Sequence, residues 1–125
     1  MSANKIQFVQ INLQHAKAST HLLCAQLTKL HTFIALIQEP WVLHQVIQGL
    51  TTIPNTQCFY LKSNTKPRAA IVTSSNIMID PLPLFASSDI IAVSLRPNHS
   101  NPHPNTSKPI VIASVYLPID KPNIP

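Results

Sequence analysis

Metal-assisted or acid–base chemistry has few side chains to draw on here, because the 125 residues hold only four carboxylates, Glu39, Asp80, Asp89 and Asp120. Glu39 is the sole glutamate, and it stands where an apolar run over residues 33–38 is stopped by Pro40. In open α/β sheets, ligand sites gather at the carboxyl ends of strands. Asn12 holds the same relative place on an earlier apolar run, residues 6–13. If the two runs are neighbouring strands, an amide and a carboxylate meet at one end of a sheet. That pairing suits a hard cation such as Mg2+, which takes one or two protein oxygens and leaves the rest to water and phosphate. Strand ends are often polar without binding anything. The spacing alone therefore leaves a second reading open, with Asn12 capping the strand-to-helix turn and Glu39 a solvated terminus.

A second group is basic. Lys62, Lys66 and Arg68 follow Phe59 and Tyr60 around a turn-forming Ser-Asn-Thr-Lys-Pro stretch. Lysine and arginine neutralise phosphates and supply most non-specific affinity for nucleic acid, so a role in holding a DNA backbone stands beside the plainer reading of a solvated hairpin tip. His99 and His103 have zinc-like spacing but lie in a proline-rich loop without a cysteine partner, which favours a solvated loop. Trp41, next to Pro40, is read as a packed loop anchor ahead of a stacking platform. Cys24 and Cys58 form no CxxC pair and read as small buried hydrophobes in a reducing compartment.

The elements that must position these groups are mostly strands. Residues 6–13 suit a strand buried on both faces, or nearly so. Over residues 18–31, Leu23, Leu27 and Leu30 recur at helical spacing, with Ser19 or Thr20 as cap. Residues 33–38 form the next buried strand, giving a βαβ-like opening. Residues 41–50 read as a loop or a short helix ended by Gly49. Residues 57–62 and 68–73 form a hairpin, and 77–79, 89–95 and 110–116 are further strands. A flexible loop rich in Pro, Asn and His spans 97–109. One helix cannot cover so many strands, so the single domain over residues 1–125 is expected to be part of a larger one.

Composition closes several doors. Gly49 is the only glycine, which excludes a Walker P-loop, a dinucleotide fingerprint and an EF-hand loop, all of which need glycine at backbone turns. Charged residues are only 10% and the formal net charge is +5, a sign that suits a polyanionic partner. The N-terminal residues have no apolar core of a secretory signal, and no apolar run approaches the ~18 residues needed to span a bilayer. The expectation is an intracellular chain, nuclear or cytoplasmic, with no membrane partner.

Four motifs fall in an order that carries a resemblance: Gln10-Ile11-Asn12-Leu13-Gln14-His15, Leu36-Ile37-Gln38-Glu39-Pro40-Trp41, Pro67-Arg68-Ala69-Ala70-Ile71-Val72 and Ser114-Val115-Tyr116-Leu117-Pro118. With Ile47-Gln48-Gly49-Leu50 and Ser87-Ser88-Asp89-Ile90 between them, the chain resembles the endonuclease/exonuclease/phosphatase superfamily. The variety is that at the front of jockey-like non-LTR retrotransposon polyproteins. The resemblance implies an α/β fold, here an incomplete four-layer α/β/β/α sandwich. It also implies Mg2+-dependent nicking of a target DNA duplex to prime reverse transcription, and a reverse transcriptase domain downstream. Carried over by motif, Glu39 would be the metal ligand, Asn12 would orient near the metal or scissile phosphate, and Tyr116 would hydrogen-bond the phosphate.

Complete relatives continue into Gly-Asp-x-Asn-like and Ser-Asp-His-like segments, which supply the water-activating aspartate and a histidine–aspartate pair. This sequence contains neither, and no histidine follows a Ser-Asp. Catalytic groups that act as a unit lose most of their effect when one is removed. The expectation is therefore an endonuclease fragment inactive on its own, so that its standing as an enzyme is open. The alternative is a non-catalytic remnant with weak, salt-sensitive nucleic-acid binding. A phosphoesterase of the same superfamily acting on a small molecule or lipid fits the basic balance less well.

Overall fold

The computed structural model describes residues 5–96 and 108–118. The chain opens with strand β1 (Gln7–Asn12), helix α1 (Lys17–Thr28) and strand β2 (Phe33–Gln38), and β1 pairs with β2 in parallel. This is the expected βαβ opening. Two-residue strands β3 (Val42–Leu43) and β4 (Val46–Ile47) follow, then β5 (Thr56–Phe59) and β6 (Ala69–Ser74), which pair antiparallel as the expected hairpin. Strands β7 (Ile79–Pro81), β8 (Ile90–Leu95) and β9 (Ile110–Val115) form a separate antiparallel sheet. The first sheet has the order β1-β2-β6-β5 and the second β7-β8-β9.

Helix α1, the first sheet and the second sheet stack as successive layers, which the alternation of side chains along β2 and β6 makes visible. Phe33, Ala35, Ile37, Ala70 and Val72 face α1, where they meet Leu23 and Leu27. Ile34, Ala69 and Ile71 face the second sheet, where they meet Ile91 and Val93. A strand covered on both sides must be apolar on both, which is why residues 33–38 and 69–74 carry so few polar side chains. The chain is thus mixed α/β with a sheet-dominated core and few helices.

Four expectations are corrected. Strand β1 is not buried on both faces: it is the sheet's edge, and Phe8, Gln10 and Asn12 are exposed while Val9 and Ile11 pack towards the α1 core. Residues 41–50 form neither a plain loop nor a helix. Trp41 O accepts a bond from Gln48 N at 2.8 Å and closes a hairpin, and Gly49 starts a short 3-10 turn at 50–52 instead of ending a helix. Helix α1 has no side-chain cap from Ser19 or Thr20. Its N-cap is Ala16, and Thr20 is buried one turn inside, its hydroxyl donating back to Ala16 O at 2.8 Å. The strand expected at 77–79 begins at Ile79, because Ile77 turns into the inter-sheet core. Residues 97–107 of the expected loop, with His99 and His103, and residue Asp120 lie outside the described residues. Among the described residues no helix is long and apolar enough to cross a membrane.

Candidate functional site

Strand register brings the first two site residues together. Asn12 pairs with Gln38 across β1 and β2, so Asn12 and Glu39 stand one position apart at the carboxyl ends of adjacent parallel strands. Backbone bonds carry this end onward: Leu13 N donates to Gln38 O at 2.9 Å, His15 N to Glu39 O at 2.8 Å, and Glu39 N to Arg68 O at 2.9 Å. Arg68 N in turn donates to Ser88 O at 2.7 Å, and Tyr116 N to Asp89 O at 2.8 Å. One row of main-chain bonds therefore links the ends of β1, β2, β6, β8 and β9 across both sheets.

The side chains of Asn12, His15, Glu39, Arg68 and Asp89 in this row all have partners. Asn12 Oδ1 accepts from Gln14 N at 2.8 Å, so the amide caps the β1–α1 turn while its NH2 group is left for another contact. His15 lies over Glu39, its Nε2 3.2 Å from Oε1, and its Nδ1 is 3.0 Å from Pro40 O. Only the protonated ring has an N–H for both acceptors. Glu39 keeps its second carboxylate oxygen outside this contact. Gln14, His15 and Glu39 all have positive φ, +53°, +57° and +49°. Non-glycine residues in that region cost of order 1–3 kcal/mol each and persist where the surroundings over-determine them.

On the other side of the row, Arg68 grips Asp89 with two parallel bonds, Nε to Oδ1 at 2.7 Å and Nη2 to Oδ2 at 3.0 Å. Its guanidinium carbon lies 5.0 Å from the centre of the Tyr116 ring. The arginine thus holds the tyrosine ring from one side and the start of β8 from the other. Deeper, Ser114 Oγ donates to Ile37 O at 2.8 Å and accepts from Gln38 Nε2 at 3.0 Å, a buried tie between the sheets directly behind Glu39.

Asn12, Glu39 and Tyr116 therefore share one end of the sandwich with Arg68. Lys62 and Lys66 sit elsewhere, exposed on the loop joining β5 to β6, where Ser63 and Thr65 bond to each other at 2.8 Å. Sequence reading does not single out His15, Gln38 or Ser114, and it names Asp89 only as a carboxylate. His15, Gln38, Asp89 and Ser114 lie inside the motifs quoted above, but nothing linear says that they face one another. Cys58 is half-buried, and burial pushes its thiol up to about 12, so it stays protonated and inert. Among the described residues no group of three or more His, Cys, Asp or Glu side chains comes together to hold a metal. The hard donors at these adjacent strand ends are the Glu39 oxygen outside the His15 contact and the second lone pair of Asn12 Oδ1, whose first is taken by Gln14 N, a set as small as Mg2+ takes when water and phosphate complete its shell.

The arrangement of a helix over two packed sheets is a fold that this chain shares with a solved endonuclease domain. One solved structure that this chain is similar to is the endonuclease domain of TRAS1, a telomere-specific non-LTR retrotransposon, with a TM-score of 0.63 and 23% sequence identity. The match covers 94% of this chain and 47% of that one, so the chain spans about half the length of the structure it resembles. No family profile matches the sequence, and no curated protein does.

Proposed function

We propose that this chain is the N-terminal part of a Mg2+-dependent DNA endonuclease of the jockey-like non-LTR retrotransposon kind, which nicks a target duplex to prime reverse transcription. The convergence of Asn12, Glu39 and Tyr116 at one end of a two-sheet sandwich is the observation that carries the reading. Glu39, through the oxygen that His15 does not occupy, would hold the cation, with Asn12 beside it. When bound, Mg2+ supplies Lewis-acid polarisation of a phosphoryl oxygen and stabilises the leaving 3′ oxygen. Tyr116, its ring held by Arg68, offers a neutral hydroxyl donor to the phosphate. Lys62 and Lys66 contact the DNA backbone. Arg68 joins them through the donors it has left, since a guanidinium has five N–H groups and Asp89 takes two.

The remaining layers and catalytic groups belong to the half of the fold that this chain does not span. A fourth, helical layer covers the outer face of β7-β8-β9, and a reverse transcriptase domain follows in the full element, which acts in the nucleus or cytoplasm. Without the missing aspartate and histidine the chain alone does not cleave. An assay of plasmid nicking with Mg2+ is expected to show no nicking. Mn2+ binding followed by electron paramagnetic resonance is expected to show weak binding that Glu39→Ala removes. Unchanged Mn2+ binding in Glu39→Ala overturns the metal assignment, and metal-dependent nicking that Glu39→Ala abolishes overturns the proposed inactivity.

A second reading, a non-catalytic remnant that binds nucleic acid weakly, is favoured by the absence of any carboxylate from Pro40 to Ile79, the stretch that includes Lys62 and Lys66. Fluorescence anisotropy on duplex DNA at rising salt tests the phosphate contacts of both readings. Affinity that ignores salt, or no binding at low salt, eliminates them.

A further inference from the structure

The β3–β4 hairpin has features that the packing of the fold does not require. Its two-residue turn, His44–Gln45, has φ of +52° and +63°, the left-handed pair of a type I′ turn. Such turns favour Asn-Gly, so a histidine and a glutamine stand there against backbone preference, and the turn carries the exposed pair beside it at the tip of the hairpin. Beside the turn, Leu43 and Val46 are direct cross-strand partners and remain 50% and 42% exposed, whereas Ile47, on the opposite face, is buried in the α1 core.

The hairpin's surroundings lean positive. It starts directly after Glu39-Pro40-Trp41, so its base adjoins the site end of the sandwich. Trp41 lies beside α1, with Lys17 Nζ 5.7 Å from its ring centre and the His21 ring 6.0 Å away. Neither α1 nor the chain from Pro40 to Ile79 contains an aspartate or glutamate. A small apolar tip beside Lys17, with no carboxylate near it in the chain except the His15-paired Glu39, suits a polyanion whose groove has apolar sugar and base edges.

We propose that the β3–β4 hairpin is a DNA-docking element. Leu43 and Val46 pack against the sugar and base edges of a duplex groove, while Lys17 and His21 reach the flanking phosphates. The inference rests on the DNA reading above and adds to it the surface that makes contact.

Trp41 is the only tryptophan in the chain, so its emission reports on the base of this hairpin alone. An end-labelled duplex titrated into the protein is read simultaneously by anisotropy and by Trp41 emission and acrylamide quenching. The expected result is that Trp41 emission changes, and its quenching falls, with the same midpoint as the anisotropy. Leu43→Ser/Val46→Ser is expected to weaken binding about fivefold with its salt slope unchanged. His44→Asn/Gln45→Gly, which keeps the turn, is expected to bind as the wild type does. The Trp41 readout needs no variant, so it decides the matter even if the serine pair fails to fold. Anisotropy that rises while Trp41 stays silent overturns the hairpin's role and leaves the DNA reading standing. An anisotropy that never rises overturns both.

Discussion

Ser114 shows how much of the site's rigidity can rest on one hydroxyl. It is buried, and it bonds both Ile37 O and Gln38 Nε2, so the second sheet grips the residues just before Glu39. Ser114→Ala leaves the Gln38 amide without its acceptor in a buried position, which costs about 1–3 kcal/mol. The expected outcome is a lower thermal midpoint by circular dichroism, with the strand signal retained. That Asn12 and Glu39 meet is legible in the sequence because each sits where an apolar run stops and the two runs are neighbouring parallel strands, whereas Tyr116 enters only through the motif resemblance. His15 and Asp89 were not legible as partners. Their placement depends on positive-φ turns and on Arg68 reaching between sheets, and residue type alone encodes neither.

Element by element, apolar content told strands from helix but not which strand would lie at an edge. Residues 6–12 carry three polar side chains, Gln7, Gln10 and Asn12, against Gln38 alone in 33–38, yet both runs read as buried strands; in the fold β2 is sandwiched and β1 has neighbours on one side only. The hairpin at 42–47 escaped the periodicity for a different reason. Two-residue strands carry no period, and the type I′ turn was made by His44 and Gln45, residues that do not announce it. Relieving that turn is a direct check. Gln45→Gly is expected to stabilise the fold by about 1 kcal/mol, seen as a higher urea midpoint with unchanged slope. Gly49 is the opposite case. Its φ is +81°, and an added Cβ would come within 2.8 Å of Thr20 Cγ2, so glycine is the residue that lets this segment close on α1.

For the molecule as a whole, the two faces of the second sheet are unequal. Ile91 and Val93 are buried against the first sheet, while Val111 and Val115, on the outer face of β9, are 63% and 40% exposed. Exposed apolar sheet surface beside an edge strand invites association. In isolation the chain is expected to elute from size-exclusion chromatography at a size that grows with concentration. Val111→Lys/Val115→Lys is expected to suppress that growth with little change in thermal midpoint, since neither side chain is buried. Elution as a monomer at all concentrations by the wild type would contradict the exposed face as the cause.

What the linear order determined by itself is the alternation of strands, the βαβ opening and the β5–β6 hairpin. It also determined the chemistry on offer: one glutamate, one glycine, and a long central stretch without acid. Those follow from local rules, since apolar period and turn residues act over a few positions. Tertiary structure alone decided that β1 is an edge, that His15 covers Glu39, and that Arg68 ties Asp89 to the Tyr116 ring. The reason is distance along the chain. Arg68 and Asp89 are 21 residues apart, and Gln38 and Ser114 are 76 apart. Contacts over such separations exist only after two sheets have packed, when side-chain direction is set by the whole sandwich and no longer by neighbours in sequence.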